Sequence, residues 1–309
     1  MRAIPTVALA FFVATCGPTL AHAADVSFHR SLNVQGNVTV NVCTSSGDIH
    51  VFGVDGDTIQ IFGKVHSAST WHSFGGFSSP GEIKKIADNP PIQQSGSIVH
   101  IGNYETCSGS LFHSISIDYE ISLPKNATVA VTSGSGDLHV ENIGGFLRAE
   151  TGSGDIRTNG TGHGAEIETG SGSIVMHDAH GTLKAHSGSG DITIRDSQVG
   201  DSQLGSGSGD IAASDVHGGL KAGTGSGSIT ISGFPTSTWK LDTGSGSIHF
   251  HSDANAKFTL DAKSSSGDID SKLPVTVSGH LGKKELRGPV NGGGPFVKMY
   301  TGSGDITLD

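Results

Sequence analysis

The sequence predicts an all-β protein wound as a single-stranded parallel β-solenoid, with two strands in each turn of about 18 residues. Three observations lead to this fold class. First, a Ser-Gly-Asp or Ser-Gly-Ser turn, in most copies preceded by Gly, recurs ahead of an aliphatic residue, at Leu138, Ile156, Ile174, Ile192, Ile211, Ile229, Ile248, Ile269 and Ile306. The steps are 18 or 19 residues, then 21, then 37, the last of which reads as two turns with one degenerate copy between them. A period near 20 held this long belongs to a repeat stack rather than to a globular core.

Second, each half-repeat carries a short alternating segment, such as Ile156-Arg157-Thr158 or Leu147-Arg148-Ala149. Alternation at period two marks a half-buried strand. A hexapeptide β-helix would need aliphatics six and twelve positions after Ile156, where Gly162 and Glu168 stand. Third, the inward pairs of successive second halves read Leu147/Ala149, Ala165/Ile167, Leu183/Ala185, Ser202/Leu204 and Leu220/Ala222. Bulk changes sides from one turn to the next while each pair keeps nearly the same volume, as dense interdigitation of stacked turns requires. Chain chirality favours right-handed winding.

Taken in order, residues 1–23 read as a signal peptide. Arg2 is a minimal basic start, Ile4–Ala14 is an apolar run too short to span a bilayer, and Ala21-His22-Ala23 is a small-residue cleavage site. A lipobox ending at Cys16 is the competing reading, weakened by Thr15 before the cysteine. Cleavage after Ala23 leaves Cys43 and Cys107, which could pair in an oxidising compartment, closing a loop worth about 4 kcal/mol, or stay apart as buried thiols. Residues 24–128 form an irregular N-terminal β cap continuous with the solenoid. Ser45–Gly53 and Ser95–Gly102 both resemble the later motif, and Ser79-Pro80 opens a short helix that Pro90 ends. Residues 129–309 are the regular repeats. The closing Asp305-Ile306-Thr307-Leu308-Asp309 reads as an outer edge strand, its acidic residues discouraging edge pairing.

Chemistry is harder to find. Acidic residues outnumber basic ones, 29 to 19, for a formal charge of -10, which disfavours nucleic acid and anionic membranes as partners. No second apolar stretch is long enough for an integral membrane segment after cleavage. Asp137, Asp155, Asp191 and Asp210 fall in one column with Asp268 and Asp305, and stacked carboxylates suit Ca²⁺. Ser173, Ser228 and Ser247 interrupt that column, so hydrogen bonding to turn backbone is the reading preferred over a metal. The motif glycines lack the lysine and following helix of a P-loop; they fit turns that need positive φ or close approach of neighbouring turns. The 16 histidines show no metal-ligand spacing, and His139 and His249 point outward by parity. The outward column Arg148, Glu166, Lys184, Gln203, Lys221, Lys240 mixes signs without a catalytic focus. No catalytic residue, cofactor or metal site is therefore expected.

"SIDYEISLPKNATVAVTSGSGDLHV", repeated "TGSGDI" and the final "VKMYTGSGDITLD" resemble the bacterial β-strand-repeat family of unknown function labelled "putative adhesin". The resemblance implies an exported, non-enzymatic β-solenoid of the bacterial envelope, periplasmic or beyond, binding an envelope glycan or protein. Two other readings stay open: a glycan-active enzyme with its site near Trp71 and His72, and a calcium-stabilised envelope module.

Overall fold

The computed structural model describes residues 26–67, 80–102, 115–277 and 284–309. Among these the chain is all-β apart from one helix, Pro80–Asp88. Each repeat gives one strand to each of two parallel ladders. In the first ladder Leu138, Ile156, Ile174 and Ile192 stand in register on successive strands. In the second, Leu147 lies over Ala165 and Ala165 over Leu183, while Ala149, Ile167 and Ala185 stack beside them. Three long strands, Ile174–Ser187, Ile211–Thr224 and Ile229–Thr243, pass from one ladder into the other.

The volume alternation read from the sequence is the packing rule of the second ladder. Leu147, Ala149 and Ile167 are fully buried, and Leu183, Ser202, Leu204 and Leu220 are buried in the same column pair. The alternation ends at Trp239, which lies over Leu220 and is fully buried. Its indole Nε1 donates to the Gly218 carbonyl at 2.8 Å, and its ring meets Phe250, which in turn meets Phe258. One buried cluster runs from Phe28 and Val34 to Leu308.

Opposite the Gly-Ser-Gly turns, the corner is set by backbone conformation. Asn142, Asp178, Asp196 and Asp215 all have φ between 51° and 56°. Gly160, at φ 73°, fills the equivalent place between Asn142 and Asp178. Short polar side chains and glycine are the residues that adopt this left-handed geometry at little cost.

The ends differ from the sequence-order expectation. The step of 37 is not two consecutive turns. Phe296–Thr301 pairs with Ile229–Thr243 on one side and Phe258–Ser264 on the other. Ile306–Leu308 likewise lies between Ile248–Ser252 and Ile269–Ser271. The last strand in sequence is therefore paired on both sides, and it is not the edge its flanking acids suggested. Between Ser271 and Phe296 in sequence, Glu285–Val290 caps Phe258–Ser264 as an antiparallel strand.

The N-terminal end repeats the arrangement. The rung Thr39–Thr44 and Ile49–Val54 is held between Ile98–Gly102 and Ile115–Pro124 on one side and Thr128–Ser133 and Leu138–Ile143 on the other. Thr58–Ser67 pairs antiparallel with Ile115–Pro124, and Val26–Asn33 pairs antiparallel with Thr58–Ser67. The helix lies against these two outer strands, burying Ile83 and Ala87. Arg30 donates to the Asp88 carbonyl at its end, at 2.9 Å.

Of the two N-terminal motif look-alikes, only Ser45–Gly53 is a true rung. Ser95–Gly102 is a hairpin instead, turning at Gly96 (φ 61°) with Ser95 opposite Ile98. Its parity is shifted accordingly: Ile98 is exposed while Val99 and Ile101 are buried.

Candidate functional site

The repeated Thr-Gly-Ser-Gly-Asp-Ile turn is explained residue by residue. The Thr151 hydroxyl donates to the Gly136 carbonyl of the preceding rung at 2.9 Å and accepts from the Gly154 amide of its own turn. Thr169, Ser187, Thr224 and Thr243 make the same double contact. A Cβ built at Gly152 or Gly154 would overlap the carbonyl oxygen of Gly134 or Gly136. Close approach of neighbouring rungs, rather than positive φ, is what demands glycine at both places.

Asp137, Asp155, Asp191 and Asp210 do form one column, exposed except at the half-buried Asp155. Asp137 Oδ1 accepts the Asp155 amide at 2.8 Å, and Asp155 Oδ1 accepts the Ser173 amide at 2.9 Å. Asp191 and Asp210 do the same for the amides of Asp210 and Ser228. Each carboxylate thus commits one oxygen to the next rung, and serine performs the role where Ser228 bonds the Ser247 amide. Among the described residues, the grouping of three or more metal-binding side chains lies elsewhere, at His50, His139 and Glu141.

The outer face of the second ladder holds the most developed surface. Arg148 bonds Glu150 and Glu166, and Lys184 bonds Glu166 at 2.5 Å and Glu168 at 2.9 Å. The hydrogen bond from Lys184, with Arg148 nearby, holds the Glu166 carboxyl below the usual carboxylate range. The bonds to Glu166 and Glu168 raise Lys184 above the ordinary lysine range.

Beyond this network the face opens into a depression of about 300 Å³, floored by Gly205 and Gly223 and walled by Glu168, Lys184, His186, Gln203, Lys221 and Asp242. Glycine inside a strand weakens it and calls for a reason. Neither glycine has positive φ. A Cβ at Gly205 would meet only the His186 side chain at 2.9 Å, and one at Gly223 has room, 3.7 Å from the Asp242 carbonyl. The fold does not require glycine at 223. What its absence of side chain does is bare two adjacent strands of backbone between flanking charges.

Glu168 and Asp242, the carboxylates at the two ends of the depression, are four rungs apart, or about 19 Å. Paired glycosidase carboxylates stand about 5 to 9.5 Å apart, so these two cannot work as such a pair.

Cys43 is buried and disulfide-bonded; Cys107 lies outside the described residues, as do Trp71, His72 and residues 1–23. The outward column of Arg148 and Lys184 carries no sign of the depression, which lies over its neighbour. That second column reads Glu150, Glu168, His186, Gly205, Gly223, Asp242, and two glycines at outward strand positions were its signal.

These features define a β-solenoid-like repeat protein with a patterned outer face. The chain belongs to the family described as Toastrack DUF4097, whose model matches residues 21–179 and 55–309. Two overlapping matches are what an internally repetitive chain produces when one model fits in two registers. No curated protein matches the chain in sequence. Solved structures similar to it include a "putative lipid binding protein" from Parabacteroides distasonis, 14% identical with a TM-score of 0.46, covering 92% of this chain and 96% of that one. A "putative adhesin" from Bacteroides fragilis is 15% identical with a TM-score of 0.41, covering 92% and 97%. A "putative cell adhesion protein" from Clostridium sporogenes is 11% identical with a TM-score of 0.27, covering 92% and 99%. At these values the likenesses carry no functional argument. Among the described residues, no helix is long and apolar enough to cross a membrane.

Proposed function

We propose that the chain is an exported, non-enzymatic binding protein of the bacterial envelope that takes hold of a glycan through the outer face of its second ladder. The observation that carries this reading is the glycine floor at Gly205 and Gly223. The two bare glycines leave a flat floor on which a sugar ring can lie, and Gln203, His186, Lys221 and Asp242 around it supply the donors and acceptors a hydroxyl-rich chain needs. Among the described residues Lys221 makes no ion pair, unlike Lys184 and Lys240. A signal peptide at 1–23 accounts for export, and the winding is single-stranded and, by chain chirality, right-handed. The wide separation of Glu168 from Asp242 supports binding over hydrolysis.

The test is Gly223→Gln, which fills the depression where the backbone leaves room. Association with purified envelope polysaccharide is expected to fall by about tenfold, ~1.4 kcal/mol, with melting temperature unchanged and no reducing ends released by either form. Unchanged association would sink the reading. Association that survives periodate treatment of the envelope but not pronase would redirect it to a protein partner.

A further inference from the structure

We infer that His50, His139 and Glu141 form a binding site for a late first-row divalent cation of the Zn²⁺ type. The inference is independent of glycan binding and uses the outer face of the first ladder. His50 and His139 are direct register partners on neighbouring strands, and Glu141 is opposite Phe52, two places further along the same face. Adjacent rungs and alternate positions therefore put three ligating side chains on one patch. Their ligand atoms all lie within 4.8 Å of one another.

Glu141 Oε1 is hydrogen-bonded to His139 Nε2 at 2.5 Å and lies 3.8 Å from His50 Nε2. The rings themselves meet edge to face, with centroids 4.6 Å apart. In a tetrahedral site with metal–ligand bonds of about 2.0–2.2 Å, ligand atoms stand about 3.3 Å apart. The side chains are half-exposed and free to rotate toward that spacing. Two imidazoles and one carboxylate match the borderline preference of Zn²⁺, Cu²⁺ and Ni²⁺, and leave a fourth position open.

The surroundings agree with a cation. Arg157, the next residue in His139's column, is drawn aside by Asp155 at 2.9 Å and Asp137 at 3.9 Å. On the other side His50 has Glu120 as its register partner, an exposed carboxylate on the neighbouring strand. Beyond Glu141 a shallow groove of about 250 Å³, lined by Arg157, Asn159, Val175 and His177, opens the patch to solvent. A bound ion would also tie the intercalated N-terminal rung to the regular stack, since His50 and His139 come from those two rungs.

The experiment uses the whole secreted chain with its disulfide intact. Titration with Zn²⁺, and with Co²⁺ as a visible-absorption probe, should show one equivalent bound and a higher melting temperature. His139→Ala and the double change His50→Ala/His139→Ala should weaken binding by roughly tenfold or more and abolish the melting shift, with unaltered circular dichroism. Glu141→Gln should behave likewise. Absence of stoichiometric binding, or binding undiminished in the double variant, would overturn the inference and leave the glycan reading untouched.

Discussion

Thr158 occupies an inward position between Val140 and Met176, and its hydroxyl is buried without a hydrogen-bond partner. Thr161 and Tyr119 share that condition, whereas the hydroxyl of Thr151 bonds Gly136 and Gly154. A buried polar group left unmatched costs about 1–3 kcal/mol. Thr158→Val, close in shape, should therefore stabilise the protein by about 1 kcal/mol and raise the melting temperature by roughly 2–4 °C in a domain of this size. Differential scanning calorimetry decides it, and a lower melting temperature would show that the hydroxyl is needed. The residue type could not have disclosed this. Threonine is inward at both Thr151 and Thr158, and only the neighbouring rung's carbonyl distinguishes the braced one.

Among the elements, the charged column on the second ladder has the clearest consequence for pH. Glu166 is held below the usual carboxylate range by Lys184, then by Arg148. A depressed folded value means that this stabilisation is complete above about pH 4.3, the unfolded glutamate value, and is lost as pH falls through the folded one. Lys184 is raised, so its share is complete below the ordinary lysine range and disappears as pH climbs through its folded value. Melting temperature should thus sag at both extremes, and Glu166→Gln should lower it modestly at neutral pH and flatten the acid limb, the two proteins converging in acid where Glu166 is protonated. An acid limb of equal slope in the variant would remove Glu166 from the account. Much at this scale was legible. Alternation gave the inward faces, the Leu/Ala exchange gave the register, and Pro80 and Pro90 bracketed the helix. Ser95–Gly102 misled because Gly-Ser precedes an aliphatic in a two-residue hairpin as readily as in a rung, and local composition does not separate the two.

For the molecule as a whole, what the sequence could not disclose is the spatial order of the rungs. Periodicity reports that Ile248, Ile269 and Ile306 are equivalent, not which one lies between the others. Strand pairing places Ile306 in the middle, because the chain first builds the outer rung, adds the cap Glu285–Val290, and returns to fill the place beneath. The same tucking at the N-terminal end brings His50 beside His139 across 89 positions of sequence, which is why neighbour spacing could not reveal that cluster. Solenoid ends expose unpaired strands, and covering them with antiparallel segments blocks growth onto another chain. The order can be trapped covalently. His249 and Thr307 face outward as register partners on neighbouring strands, whereas Asp270 lies one rung beyond Thr307, about 10 Å from His249. His249→Cys with Thr307→Cys should cross-link on oxidation and stabilise by about 4 kcal/mol through the loop closed in the unfolded chain. His249→Cys with Asp270→Cys should remain reduced. If the second pair closes and the first does not, the rungs stack in sequence order, and the last strand is an edge after all.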